Sequence, residues 1–466
     1  MSRSGLAVPH DAPAPPEAFA RLAGRRGVFW LDSSMPRADD GRFSIMGCEP
    51  RWIFTSRGSD WRLEHCGGGG ESGERAPLEK LEALLAAHGV TPANGVELPF
   101  WGGAVGWLAY DLGRQFERIE GTAQDDLGMP DIQLAWHDSA VIWDHQLGRA
   151  WLVGADGERP AAAAVAELAG FLQAAPVLSL APGEPPAAGR AISDLTRAEY
   201  LARVAAVRED IARGEYYQVN LVQRFECAHD EPPARTYLRL RALNPAPFAA
   251  FIQAGEWAVL SSSPERFLEL SPDGRVRTCP IKGTRPRGAT PEEDAALRAE
   301  LLASEKERAE LLMIVDLLRN DLGRVCAFGS VEVGRLHALE SFATVHHLVG
   351  EVTGRLRPEV TLGALLRAVF PGGSITGAPK VSAMRAIDRL EPHRRGLGMG
   401  ALGYASAHGR LELNIAIRTI LCRGGRAYLP LGAGIVADSE PAAEYEETLA
   451  KGRALFAALG VPEVAP

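Results

Sequence analysis

Lys282 stands in the run Cys279-Pro280-Ile281-Lys282-Gly283-Thr284-Arg285-Pro286-Arg287-Gly288, where two prolines and two glycines break any regular repeat. The run reads as a loop that fixes side-chain directions. Arg285 and Arg287 are close enough in sequence to disfavour the ammonium form of the lysine and leave a nucleophilic amine. Taken alone, the loop fits a solvated basic turn better, because most lysines are exposed. A second chemical group lies on the helix that Ser304 and Glu307 start. At about 100° per residue, Glu307 and Glu310 continue the stripe of Ile314, Leu317 and Asp321. Carboxylates turned towards a core need a cation or a partner, and a hard divalent metal is one solution. Farther on, Arg418 interrupts an apolar strand over 413–421, where burying a guanidinium requires an anion. Gly432, Ala433 and Gly434 are small enough to let a ligand reach backbone amides. On the last helix Glu444, Glu447 and Lys451 share a face, which by pattern alone fits a solvated surface.

The elements that must position these groups divide at a linker. Residues 1–20, rich in Ala and Pro, read as poorly ordered. Residues 21–175 read as a strand-rich region, with short apolar runs at 27–31, 51–54, 104–108 and 140–143, a glycine-rich tip at 66–73, and helices over 78–87 and 161–174. The Pro, Ala and Gly content of 176–190 marks the linker, and 191–460 forms the second region. There, Thr196 with Glu199 predicts a capped helix ending at Gly214, and Thr290 with Glu293 a second. Residues 216–227 alternate as a strand, with Gln218, Asn220 and Val222 on one face. His346 and His347 are adjacent and point apart in regular structure, so one histidine at most would act in acid-base work. The run 370–380 superficially resembles a phosphate loop. Ala378 stands where that motif requires lysine, which removes the nucleotide reading.

Composition narrows the partners. A formal net charge of −9 gives no electrostatic reason to expect nucleic acid or an anionic membrane surface. No signal peptide pattern and no uncharged spanning stretch is present. Six scattered cysteines without a C-x-x-C pair fit reduced thiols in a cytoplasmic setting and speak against zinc.

From about 195 to 455 the chain resembles the chorismate-utilising enzymes. The resemblance rests on Tyr217-Gln218-Val219-Asn220, Ser263-Pro264-Glu265-Arg266-Phe267, Pro280-Ile281-Lys282-Gly283-Thr284, Glu310 to Leu317, Arg319-Asn320-Asp321, Gly373 to Lys380, Ala416-Ile417-Arg418-Thr419 and Gly432 to Ser439. Within that family, lysine at 282 matches the branch that makes aminodeoxychorismate, whereas anthranilate synthases carry alanine there. Isochorismate and salicylate synthases place a water-activating lysine where Gln218 stands.

The resemblance implies an α+β fold of large antiparallel sheets packed as a sandwich with helices outside. It implies Mg2+ held by Glu310 and Glu447, with Glu307 and Glu444 close by, on the ring carboxylate of chorismate. Arg418 with the Gly432, Ala433 and Gly434 amides would hold the enolpyruvyl carboxylate, and Thr376, Gln218 and Lys451 would line the substrate site. Lys282 is the expected nucleophile, Glu265 the general acid, and His347 the histidine at the family's position. Asp32, Ser33, Arg42, Phe43 and Ser44 resemble segments that hold tryptophan. A separate glutamine amidotransferase subunit is the expected ammonia source, because no glutaminase motif is found and the chain ends just after the last helix. One departure stands out: Gly398 occupies a position where related enzymes usually have tyrosine.

Overall fold

Short polar side chains start the helices where the spacing predicts. In the computed structural model, which describes residues 3–35, 40–92, 95–179, 181, 183–186, 189–341 and 345–464, Thr196 and Glu199 form a reciprocal capping box on helix Arg197–Ala212. Thr290 caps Pro291–Ala303 and Ser304 caps Glu305–Gly323, each accepting the N–H three residues on. The last helix, Pro441–Leu459, ends on the left-handed Gly460. Its N-cap is Glu440, whose side chain accepts the Ala443 N–H.

The strands pair into two large, almost wholly antiparallel sheets. The first runs in the order Gly5–His10, Arg149–Ala155, Ser139–Asp144, Phe43–Gly47, Phe29–Asp32, Phe248–Ala254, Trp257–Ser263, Thr419–Arg423, Arg426–Ile435, Gln218–Ala228 and Arg190–Ser193. The second runs Ile281–Pro286, Val345–Arg355, Arg275–Cys279, Arg266–Leu270, Leu411–Ile415, Ala401–Ser406, Gly103–Leu108, Ile132–His137, Trp52–Arg57, Asp60–His65 and Gly70–Glu74. Each sheet takes strands from both sides of 176–190, joined where Phe248–Ala254 pairs with Phe29–Asp32 and Ala401–Ser406 with Gly103–Leu108. The segment 176–190 therefore separates stretches of sequence that share both sheets.

Between the sheets, Trp107, Leu402 and Tyr404 meet Phe29, Ile142, Ile252 and Leu421. Helices cover the outer faces: Leu168, Tyr237 and Leu455 pack on the first sheet, and Leu81, Leu311 and Leu365 on the second. This is the expected α+β sandwich.

Three local expectations change. Within residues 1–20, expected to be poorly ordered, the chain forms strand Gly5–His10 and starts helix Pro15–Leu22, because Phe19 and Leu22 are fully buried and Phe19 packs its ring on Trp30, Tyr237 and Phe251. Burying one such ring contributes about 2 kcal/mol, enough to order a terminal segment. Residues 413–421 are two strands in different sheets, not one. The Lys282 run is an edge strand, Ile281–Pro286, rather than a loop. Prolines are tolerated at an edge, and Gly283, at φ 75°, absorbs a bulge between Lys282 and Thr284.

Candidate active site

The chain passes from the first sheet to the second between Ser263 and Arg266, and returns between Ile415 and Thr419. The two crossings hold each other. The Ile415 N–H donates to the Glu265 carbonyl at 3.0 Å, and the Ser263 hydroxyl donates to the Ile415 carbonyl at 2.6 Å. Glu265 and Arg418, far apart in sequence, are thereby fixed on neighbouring turns. Burial pushes the Glu265 carboxyl up to about 7, against the opposing pull of the Ser374 hydroxyl at 2.6 Å and of the Lys282 charge. A carboxyl that is half protonated near neutral pH is suited to donate a proton. Arg418 sits at φ 49°, outside any strand, and burial alone lowers its pKa. Among the described residues no ion pair or side-chain hydrogen bond reaches its guanidinium, so an anion would complete it.

Strand register decides which backbone groups are available. The N–H groups of Asn220, Val222 and Arg224 donate to the Thr376 carbonyl, to Glu391 and to Asp194, not across to the facing strand. Their partners Gly434, Gly432 and Pro430 are therefore non-hydrogen-bonded pairs whose polar groups point to the open edge. Beyond Tyr428 that edge has no neighbouring strand among the described residues. Gly432 and Gly434 thus present backbone N–H groups outward, whereas Ala433, paired with Leu221, spends its own in the ladder. This corrects the expectation for Ala433, and the two-residue period of a strand is the reason.

Lys282 reaches this edge. Its Nζ lies 3.5 Å from where a Cβ on Gly434 would stand, and Gln218 Nε2 lies 2.6 Å from the same point. Only glycine leaves that space open. Gln218 is fully buried, and neither polar atom of its amide has a hydrogen-bond partner among the described residues. An orphaned buried amide marks a place where a ligand or water supplies the missing bonds. Lys451 donates to the Gly432 carbonyl at 3.0 Å and pairs with Glu447 at 2.7 Å. The Thr376 hydroxyl is turned inward, donating to the Gly372 carbonyl at 2.6 Å, so it shapes its loop and offers only its lone pairs. His347 Nδ1 lies 2.9 Å from the Thr284 hydroxyl, on the strand beside Lys282. His346 ties Ser341 to Asp294. Phe342, Ala343 and Thr344 of the same run lie outside the described residues.

The four candidate metal carboxylates share one electrostatic field. Burial raises the Glu310 carboxyl, and Glu307 and Glu447 push it further up while Lys282 and Lys306 oppose them. Carboxylate oxygens are the hard donors that a small divalent cation takes. No group of three such side chains is arranged as a metal cage among the described residues. Neighbours hold three of them individually: Arg285 pairs with Glu307 at 3.3 Å, Lys451 with Glu447, and the Ser439 hydroxyl donates to Glu444 at 2.6 Å.

The segments expected to hold tryptophan meet elsewhere. Asp32, Ser33, Arg42 and Phe43 line a cavity of about 620 Å3 together with Pro247, Phe248 and Tyr404. Ser44 is fully buried and supports the wall through Asp32 and His145.

Gly398 also has a structural cause. A Cβ there would stand 2.6 Å from the Pro430 ring, so the space of a side chain is taken by proline on the open-edge strand. Two supporting residues escaped sequence reasoning. Ser374 sits inside a quoted motif, but nothing there singled it out as the donor to Glu265. Arg395 pairs with Glu391 at 2.6 Å and donates to the Ile375 and Asn220 carbonyls, clamping the loop to the strand. Its spacing of four from Glu391 was the available signal.

The family model for chorismate binding enzymes matches residues 30–457. An aminodeoxychorismate synthase component 1 from Klebsiella aerogenes is 42% identical over 451 residues, spanning 97% of this chain and 98% of its own. An anthranilate synthase component 1 from Thermus thermophilus is 38% identical over 460 residues, 97% and 96% of the two chains. The crystal structure of anthranilate synthase component I from Streptococcus pneumoniae superposes with a TM-score of 0.79 at 33% identity, covering 97% of this chain and 99% of that one. The chain belongs to the chorismate binding enzyme family.

Proposed function

We propose that this chain converts chorismate and ammonia to 4-amino-4-deoxychorismate, the reaction of an aminodeoxychorismate synthase component 1. The observation that carries the reading is the Lys282 amine seated over Gly434, with the proton-bearing Glu265 in its electrostatic field and the unpaired Arg418 on the adjoining crossing. Arg418 and the Gly432 and Gly434 amides receive the enolpyruvyl carboxylate. The Lys282 nitrogen bonds to C2 of the ring, the double bonds shift, and the C4–O bond breaks as Glu265 protonates the departing hydroxyl to water. Ammonia then bonds to C4, the double bonds shift back, the C2–N bond breaks, and the surplus proton returns to the Glu265 carboxylate. Glu310 and Glu447, with Glu307 and Glu444 near them, are the side chains that would hold Mg2+. Bound there, it supplies charge neutralisation and orientation for the ring carboxylate.

Ammonia comes from a glutamine amidotransferase subunit, in keeping with the "component 1" of the relatives' names. The cavity beside Asp32, Ser33, Arg42 and Phe43 takes tryptophan. The free cysteines fit a reducing compartment such as the cytoplasm, and no helix among the described residues is long and apolar enough to cross a membrane. The test is product identity from chorismate, Mg2+ and ammonium. Aminodeoxychorismate is expected, and fluorescent anthranilate as the main product would overturn the assignment.

A further inference from the structure

We propose that Arg285 is a positioning residue for this reaction: it pins Glu307 against Gly283, and through that contact holds the backbone bulge from which Lys282 reaches Gly434. Arg285 lies three residues beyond Lys282 on the same edge strand. Its Nε donates to Glu300 at 2.8 Å, and its Nη1 donates to Glu307 Oε1 at 3.3 Å and to the Thr284 carbonyl at 3.0 Å. The other Glu307 oxygen, Oε2, lies 2.9 Å from where a Cβ on Gly283 would stand, and Leu301 Cδ1 closes the same space at 2.9 Å. One carboxylate therefore grips the strand on both sides of Thr284.

The grip matters because of where the strand lies. Among the described residues Ile281–Pro286 is at the sheet edge, paired only with Val345–Arg355, and its register slips between Lys282 and Thr284. In a bulged edge strand the ladder fixes one side only, and whatever packs on the other side sets the direction of the side chains. Here that side is met by Glu300 and Leu301 of one helix and Glu307 of the next. Arg285 and Glu307 are each about one-fifth exposed, a setting in which an ion pair adds little to global stability. What such a pair supplies is precision. Misplacing a reacting group by about 1 Å costs roughly a hundredfold in rate. Arg287, the other arginine of the run, pairs with Asp294, which also accepts from His346 and the Gly288 N–H, and so fastens the helix Pro291–Ala303.

The proposal rests on the reading of Lys282 as nucleophile, and the experiment separates the two. Steady-state kinetics are measured for Arg285→Ala and Arg285→Lys, alone and in a Lys282→Ala background, together with amide hydrogen exchange over 281–285 and the melting temperature. Arg285→Ala is expected to lower kcat about tenfold to a hundredfold with KM for chorismate within about threefold, and excess Mg2+ does not restore it. The melting temperature moves by less than about 3 °C, exchange over 281–285 quickens, and Arg285→Lys recovers part of the rate. In the Lys282→Ala background the same change lowers the residual rate by less than about twofold. Equal losses in both backgrounds, restoration by Mg2+, or unchanged exchange over 281–285 would overturn the proposal alone. Where the Lys282→Ala rate is too low to compare, the exchange result decides. An undiminished rate in Lys282→Ala overturns the reaction reading, and this proposal with it.

Discussion

The open edge beside Lys282 and the cavity beside Arg42 are both lined by charged groups, but the two are completed to different degrees. At the edge, the Gln218 amide lacks partners, Arg418 lacks an anion, and Gly432 and Gly434 point backbone N–H groups outward. In the cavity most charges are paired, Arg42 with Asp144, Arg266 with Asp40 and Glu412, and Arg277 with Glu351, leaving Arg266 Nε and Arg410 Nε without a hydrogen-bond partner among the described residues. Buried polar groups without partners are costly, so a fold keeps them where a bound molecule completes them. A charged substrate fits the edge. A cavity whose arginines are mostly paired with carboxylates fits a ligand recognised largely by shape and apolar contact.

The sharpest way to break this contrast is at the edge. Lys282→Ala or Glu265→Gln is expected to lower the rate of aminodeoxychorismate formation about a hundredfold or more, read by chromatography of the product. Arg418→Ala, which removes a charge-assisted contact worth about 1.5–3 kcal/mol, is expected to raise KM for chorismate about tenfold to a hundredfold. An unchanged KM would mean that the unpaired guanidinium is not the anion site. The rate should also fall as pH rises through about 7, because the buried Glu265 loses there the proton it must donate. In Glu265→Gln that alkaline limb should vanish. The smallest effect lies in the cavity. Tryptophan at a hundred times its Kd is expected to stabilise the fold by about 2.7 kcal/mol, seen as a raised melting temperature. Phe43→Ala should remove the shift and Arg418→Ala should keep it. Loss of the shift in Arg418→Ala would show that the two regions are not separate.

Much of this arrangement was legible in the chain. The caps at Thr196, Thr290 and Ser304 carry their own signal, since a short oxygen followed by a glutamate three residues on is local chemistry. Of the motif residues, Lys282, Glu265, Gln218 and Gly434 come together, and Arg418 lies on the crossing next to that of Glu265. What stayed hidden depends on pairing across long sequence separations. Proline content made the Lys282 strand read as a loop, because an edge that tolerates proline cannot be told from a loop without knowing the neighbouring strand. Arg418 read as part of one strand because nothing local reveals that the chain changes sheets at 415–419. Ala433 read like its flanking glycines until register showed that alternate residues face opposite edges. Gly398 read as a loss, and only its contact with Pro430 shows where the space went.

The account turns on covalent attack by Lys282, and mass spectrometry of the protein incubated with chorismate and Mg2+ in the absence of ammonia tests it most directly. The peptide containing Lys282 is expected to carry the mass of chorismate less one water, and ammonium should discharge it as aminodeoxychorismate. An unmodified Lys282 peptide under conditions where later addition of ammonium yields product at the full rate would contradict the account.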